Sequence, residues 1–383
     1  MARLQKLLSN RIQRNRMDKL IYSQRLAILL PEMALGGAQH SMIKLAKGIR
    51  GAGIPVDLVL GRPKGGFMTE VPETVRVIDL KANHIRNSIP ALVKYLKCER
   101  PTVLLASMHA NNIAILARYL AASSTRVYVS ERSTPSIEAK NNRDIRIRWM
   151  PILSRFLYKW ADGVIAVSQG VARDLTKELN IPNRLIHVIY NPIITPELRA
   201  KALEPLEHAW FQNGEPPVIL AVGRLSKPKD FGFLIRAFAQ VRQSRSVRLI
   251  ILGEGENRLE LEKLTRELGL EREISLPGFA RNPYPYMVRA AGFVLSSRWE
   301  GLPGVLIEAL YCRAPIVATN CPSGPEEILK HGEYGRLVPV GDVLEMSKAM
   351  TDLIDGRIAH PPVESWLPYE LDSVINQYLQ VLF

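Results

Sequence analysis

Cysteine is scarce, with three in 383 residues. Cys98, Cys312 and Cys321 are too few and too scattered for a disulfide framework, and no Cys-x-x-Cys pair points to zinc or thiol redox chemistry. A reducing, cytoplasmic setting is expected. Long apolar runs are missing as well. No window offers about 18 uninterrupted apolar residues, and the most apolar long stretch, 102–122, carries His109, Asn111, Asn112 and Arg118. The start is basic without the apolar centre of a signal peptide. Low-complexity tracts and short internal repeats are absent, which sets aside collagen, coiled coils and solenoids. Acidic residues are the minority, 37 against 51 basic, for a formal charge of +14. The imbalance is local. Residues 1–190 hold 30 basic and 13 acidic residues, whereas 191–383 hold 21 and 24.

What is present is a regular alternation. RLAILL is a short apolar run, followed by Gly36 and Gly37 and then by the helical spacing of SMIKLAKGIRGAG. PVDLVLG, VRVIDL, TVLLAS, RVYVSE, GVIAVS and HVIYNP read as further strands, with helices between most of them. Strand and helix in alternation imply a parallel sheet covered on both faces. Residues 196–215, rich in Pro and Glu, read as a linker. The alternation then restarts with PVILAVG and runs to GRLVPV. The expected fold class is therefore α/β, with two doubly wound Rossmann-like domains, 1–195 (with a basic leader at 1–24) and 216–360, facing a central cleft. The end, 361–383, reads as a helix that packs on the surface or returns to the first domain. Open parallel sheets bind ligands at the carboxyl ends of their strands.

Several groups fall at such ends. Glu300 lies just past the strand GFVLSS, and Glu308 lies eight residues on, about one turn into a helix beginning near Gly304. The turn Gly301-Leu302-Pro303-Gly304 offers backbone amides at a helix start, where anions are favoured. Arg224 and Lys229 stand in the loop after the first strand of the second half, spaced to neutralise a diphosphate, Arg as a planar fork and Lys as a point charge. By itself each is also an ordinary solvated charge. LGEGENRLELEKL has two glycines of the dinucleotide fingerprint but not the third.

In this order the segments resemble a known family. GRLSKPKDFGFLIRAF, LGEGENRLELE, PGFARNPYPYM, SSRWEGLPGVLIEAL and SGPEEI resemble the nucleotide-sugar domain of retaining glycosyltransferases of the GT-B architecture, specifically glycosyltransferase family 4 of the bacterial surface-glycan type, whose Glu-x7-Glu motif is matched by Glu300 and Glu308. The first half matches through GGAQ, SMHAN, SERSTP and VIAVSQGVARDL. The resemblance implies that Arg224 and Lys229 hold the donor diphosphate, that Glu300 meets the transferred sugar and that Glu308 meets the ribose. It implies sugar or phosphate contacts for Gly301 and Leu302, and a base bounded by Gly278 and Phe279. Gly36 and Gly37 correspond to a glycine turn approached by the acceptor and the diphosphate, and His109 to a histidine beside the reacting carbon. Read without the family, a lone histidine there is more often a packing residue. Glu131 and Arg132, after the strand RVYVS, are expected on the acceptor side. No Asp-x-Asp occurs, so neither a catalytic metal nor a cofactor is expected, only a nucleotide-diphosphate sugar as donor. Two rivals stand beside transfer: a catalytically silent nucleotide- or glycan-binding module, and a nucleotide-sugar epimerase of the same fold.

The basic half calls for an anionic partner. In NNRDIRIRWMPILSRFLYKWADG, Arg143, Arg146, Arg148, Arg155 and Lys159 alternate with Trp149, Ile152, Phe156 and Trp160. This suits a helix at an anionic membrane surface. The rival is core packing, with Pro151 interrupting the helix. No zinc-finger spacing or RNA-binding aromatic motif accompanies the charge, so nucleic acid is not an expected partner. A glycan or lipid-linked acceptor, with the chain peripheral on the inner face of the plasma membrane, is the expectation.

Overall fold

A computed structural model of the chain describes residues 24–34, 36–142 and 144–383. Residues 1–23, which hold nearly all of the basic leader, lie outside the described residues, as do Leu35 and Arg143. Two compact units are present. One takes the chain up to Val167 together with 172–189 and 374–383; the other takes 168–171 and 190–373.

The first unit is built on seven parallel strands: β1 (Leu26–Leu30), β2 (Val56–Leu60), β3 (Arg76–Asp79), β4 (Val103–Ser107), β5 (Arg126–Glu131), β6 (Gly163–Ala166) and β7 (Ile186–Val188). Their order is β3-β2-β1-β4-β5-β6-β7. β1, β2 and β4 are buried along their whole length. They read as near-continuous apolar runs because both sheet faces carry other elements and neither is left for polar residues. The second unit has six parallel strands: β8 (Val218–Val222), β9 (Arg248–Leu252), β10 (Ile274–Gly278), β11 (Gly292–Leu295), β12 (Ile316–Thr319) and β13 (Arg336–Val338), ordered β10-β9-β8-β11-β12-β13. Its core joins Leu249, Ile251 and Val294 of the sheet to Phe231, Leu234 and Phe238 of one helix and Met346 and Met350 of another.

Both units are thus doubly wound α/β structures of Rossmann type. Strand order reverses between β1 and β4 in the first and between β8 and β11 in the second. At such a switch point the connections leave to opposite faces, and the gap between them at the carboxyl ends is where these sheets take ligands.

Helix Ile145–Leu157, helix Val343–Ile354 and the segment 196–215 depart from expectation. Helix Ile145–Leu157 continues through Pro151. One missing amide donor is tolerated because the ends are held: Asp144 accepts from the Arg146 amide at 2.9 Å, and the inner face is fastened further along. Apart from buried Leu157, its large apolar groups do not pack inward. Trp149 is 61% and Phe156 62% exposed, and Ile145, Ile152, Leu153 and Trp160 are exposed too, which overturns the core-packing alternative. Helix Val343–Ile354, capped by the Asp342 carboxylate, follows what reads in sequence as the last strand. The segment 196–215 contains helix Pro196–Ala202. Helix Leu371–Leu382 ends the chain, and Tyr128 Oη of β5 donates to the Val381 carbonyl at 2.8 Å. No helix among the described residues is long and apolar enough to cross a membrane.

Candidate functional site

In the second unit, β8 runs into a loop that carries Arg224 and Lys229. Asp230, at φ 46°, ends the loop and caps helix Phe231–Arg242 by accepting from the Phe233 amide. Across the switch point β11 leads to Ser296, Ser297 and Glu300. The two loops are fastened together. Lys229 Nζ donates to Glu300 Oε1 at 2.5 Å, Ser297 Oγ donates to the same oxygen at 2.6 Å, Ser296 Oγ donates to the Lys229 carbonyl at 2.7 Å, and the Arg298 amide donates to the Pro228 carbonyl at 2.7 Å. The Lys229 and Glu300 side chains are only 19% and 12% exposed. Such a pair is shielded from solvent screening, and losing one partner strands the other charge. Arg224 stands exposed on the same loop.

Glu308 lies on helix Gly304–Tyr311 and accepts from Tyr284 Oη at 3.1 Å. Burial first, then the charge of Glu308, pushes the neighbouring Cys312 thiol up to about 12, so that thiol is not a nucleophile near neutrality. Gly301 and Leu302 are buried in the turn before this helix. Ser323 Oγ donates to the Gly301 carbonyl at 2.9 Å, and a Cβ on Gly324, at φ +97°, would stand 2.4 Å from Pro303. The SGPEEI segment therefore braces the turn that precedes Glu308.

The glycines of LGEG are required by packing. A Cβ on Gly253, at φ +147°, would fall 1.9 Å from the Gly223 carbonyl oxygen, and one on Gly255 would fall 2.2 Å from that of Leu225. The Gly223 amide donates to the Leu252 carbonyl, and the Gly253 amide to that of Gly278. These contacts draw the ends of β8, β9 and β10 together. Gly278, at φ +95°, is buried there, with exposed Phe279 beside it.

In the first unit, Gly36 and Gly37 follow β1 and open helix Gly37–Gly51. A Cβ on Gly37 would meet nothing within 4 Å, so the fold itself does not demand glycine at that position. His109 is exposed on the turn Met108–Ala110, directly after β4. These three residues flank the first unit's switch point.

Glu131 and Arg132 go elsewhere. Glu131, 9% exposed, accepts from Tyr158 Oη and, at 3.1 Å, from Asn111 Nδ2. Burial, with small additions from Glu138 and Asp174, raises its carboxyl to about 7 against the hydrogen bonds that lower it. Arg132 turns to the C-terminal helix, its guanidinium nitrogens shielded beside Tyr378, and burial lowers its pKa against the opposing influence of the Tyr378 hydroxyl. Neither charged end lies open to solvent.

In the second unit, then, cations suited to phosphate stand next to carboxylates suited to hydroxyl groups. The sequence model of Glycosyltransferase Family 4 matches residues 35–196, and that of Glycosyl transferases group 1 matches 216–356. Over 344 residues the chain is 32% identical to the N-acetylgalactosamine-N,N'-diacetylbacillosaminyl-diphospho-undecaprenol 4-alpha-N-acetylgalactosaminyltransferase of Campylobacter jejuni, across 87% of this chain and 90% of that one. The chain is a family 4 glycosyltransferase. This glycosyltransferase is also 24% identical to the lipopolysaccharide core biosynthesis glycosyltransferase LpsE of Rhizobium meliloti, across 91% and 96% of the two chains. Its GT-B fold is shared with Anabaena HepE in complex with UDP, at a TM-score of 0.75 and 20% identity over 94% of this chain and 99% of that one. TarM matches at 0.74 and 13% identity over 94% and 98%.

Some partners of the glycosyltransferase's candidate residues carry no signature of their own. Ser297 and Tyr284 hold the two motif glutamates, and Asn111 and Tyr158 hold Glu131. Ser297, Tyr284 and Asn111 lie inside SSRWEGLPGVLIEAL, PGFARNPYPYM and SMHAN, which is the hint the sequence offers. Asn111 and Tyr158 stand 47 residues apart and nothing in the chain links them.

Proposed function

We propose that this glycosyltransferase moves a sugar from a nucleotide-diphosphate donor to a membrane-associated glycan or lipid-linked acceptor in surface-polysaccharide assembly, with retention of configuration and without a catalytic metal. The observation that carries the reading is the shielded Lys229–Glu300 pair at the second switch point, with Arg224 on the same loop and Glu308 on the adjoining helix.

Cleaving a glycosyl phosphate leaves an oxocarbenium-like sugar and a diphosphate whose negative charge grows. Cations that hold the diphosphate more tightly as that charge develops lower the barrier. Lys229 and Arg224 take this part. In the free protein Glu300 keeps the Lys229 ammonium in place; with donor bound, the ammonium turns to phosphate and Glu300 turns to sugar hydroxyls. Glu308 takes the ribose hydroxyls, the amides of Gly301 and Leu302 serve the sugar or phosphate, and Gly278 and Phe279 bound the base. Retention follows from front-face attack, the departing phosphate accepting the acceptor's proton. Glu300 is then a positioning carboxylate rather than a nucleophile. His109, Gly36 and Gly37 serve the reacting carbon and the acceptor. The open space around Gly37 supports a close approach there.

The acceptor side is where the protein meets a bilayer. Helix Ile145–Leu157 exposes Trp149, Ile152 and Phe156 among Arg146, Arg148 and Arg155; the turn after it adds exposed Lys159 and Trp160, and Trp160 stacks on exposed Tyr119 with ring centres 5.8 Å apart. Aromatic groups at headgroup depth with cations around them fit an anionic lipid surface. The Campylobacter relative's undecaprenol-linked substrate supports a lipid-linked acceptor.

The test is turnover of candidate nucleotide sugars, with and without acceptor, in the wild type and in Lys229→Ala and Glu308→Ala. Retained configuration in the product and activity in a chelator support the reading. Unchanged turnover in both variants removes the mechanism.

A further inference from the structure

Helix Ile145–Leu157 has two faces with different work. The outer face carries the exposed aromatic and cationic groups. The inner face buries Ser154 beside apolar Leu157. Ser154 is buried and paired with Asn112: Asn112 Nδ2 donates to Ser154 Oγ at 3.1 Å, and that hydroxyl stands 3.3 Å from Asn112 Oδ1. Four residues on, in the turn Tyr158–Trp160 that directly follows the helix, Tyr158 is fully buried. Its hydroxyl donates to Glu131 and receives Asn111 Nδ2 at 3.0 Å. Asn111 Nδ2 also reaches Glu131 Oε1 at 3.1 Å and the Ser130 carbonyl at 3.2 Å.

Asn111 and Asn112 are the first residues of helix Asn111–Ala121, and the turn immediately before them is Met108–Ala110, which bears His109. Two adjacent asparagines thus tie the His109 turn to the last turn of the outer helix, through Ser154, and to the turn that follows it, through Tyr158. Burying five polar side chains costs free energy unless their bonds are kept, whereas apolar groups of similar volume would pack more cheaply. What polar contacts add is direction: they fix the depth and register of the helix against that turn.

We propose that Ser154 and Tyr158 are positioning residues, fastening the lipid-facing helix to Asn112, Asn111 and Glu131 so that a bilayer's hold on this helix sets the place of the turn bearing His109. The inference rests on the proposed membrane contact and on the proposed role of His109, and it goes beyond both by joining them. Transfer then depends on whether the protein sits on lipid, even when the donor is plentiful.

The experiment measures nucleotide-sugar hydrolysis and transfer by the full chain, with vesicles of phosphatidylethanolamine and phosphatidylglycerol, with neutral phosphatidylcholine vesicles and without lipid. Co-sedimentation reports binding, and hydrogen exchange follows the amides of residues 108–112. In the wild type, anionic vesicles are expected to raise kcat on the order of tenfold, a usual size for coupling between sites, with the donor KM unchanged and protection of 108–112 altered. Tyr158→Phe and Ser154→Ala are expected to bind vesicles as the wild type does and to lose both responses. Hydrogen exchange keeps the test alive in a variant too weak to turn over, and melting curves identify one that fails to fold. A Tyr158→Phe or Ser154→Ala protein that keeps the full rise in kcat overturns the inference. So does a wild type that binds vesicles without either response, which leaves membrane contact standing. A wild type that ignores vesicles overturns membrane contact along with it.

Discussion

Lys229 and Glu300 illustrate how much a single pair carries. The ammonium and carboxylate are mostly shielded and 2.5 Å apart, and in the proposed mechanism removing Lys229 takes away a cation that meets the developing phosphate charge. Lys229→Ala is expected to lower kcat by roughly 100- to 1,000-fold, the range for losing one preorganised electrostatic donor, measured by initial rates at saturating donor. Glu131 gives a pH signature of its own. Its carboxyl, facing Tyr158 and Asn111 with Glu138 and Asp174 nearby, is raised from the ordinary 4.5 to about 7 by burial. Below the lower value it is neutral in both folded and unfolded chains. Between the two it ionises only on unfolding, so stability falls as pH rises, and the loss is complete above about 7. It amounts to on the order of 3 kcal/mol. Glu131→Gln is expected to gain stability relative to the wild type as pH rises from about 5 to 8, by urea unfolding; parallel curves for the two proteins would contradict this. At this scale the order of segments along the chain pointed to Lys229 and Glu300, which the structure pairs. The sequence misassigned the surroundings of Glu131 and Arg132, because a strand end exposes or buries a charge according to helices placed well away in the chain.

Among the elements, the loops after β8, β9 and β10 depend on glycine for a steric reason. Gly253→Ala would set a Cβ 1.9 Å from a carbonyl oxygen at φ +147°. It is expected to cost at least about 3 kcal/mol, read as a fall in melting temperature. The fingerprint-like spacing of LGEG is accounted for by this packing, without appeal to a dinucleotide. Helix Ile145–Leu157 behaves in the opposite way. Trp149→Glu and Phe156→Glu, at sites more than 60% exposed, should change stability by no more than about 0.5 kcal/mol. Each should weaken binding to phosphatidylglycerol vesicles by roughly tenfold, and added salt should weaken it further. Vesicle binding unchanged by both substitutions would contradict the lipid-facing assignment. Pro151 in sequence suggests a break, because an interior proline removes a donor and crowds the preceding turn, yet the helix continues past it, with Asp144 capping its start. Helix Val343–Ile354 escaped notice because it follows an apolar run that reads as a terminal strand.

For the whole molecule, the two α/β units were legible because parallel strands buried on both faces are written as uninterrupted apolar runs between helical periods. Unit boundaries were less so. The end of the chain, 374–383, joins the first unit, and no local pattern says which sheet a terminal helix covers. The family follows from two sequence models that together span most of the chain and from a relative matched over nearly its full length. Donor handling is the claim on which the remaining account depends. The most direct measurement is a thermal-shift titration of the full chain with UDP, GDP and ADP, each with and without its sugar. One nucleotide class is expected to stabilise the protein saturably, by about 2.7 kcal/mol at a hundred times its Kd, and this stabilisation should shrink sharply in Lys229→Ala and Glu308→Ala. A protein that no nucleotide stabilises, or whose stabilisation survives intact in both variants, would contradict the account.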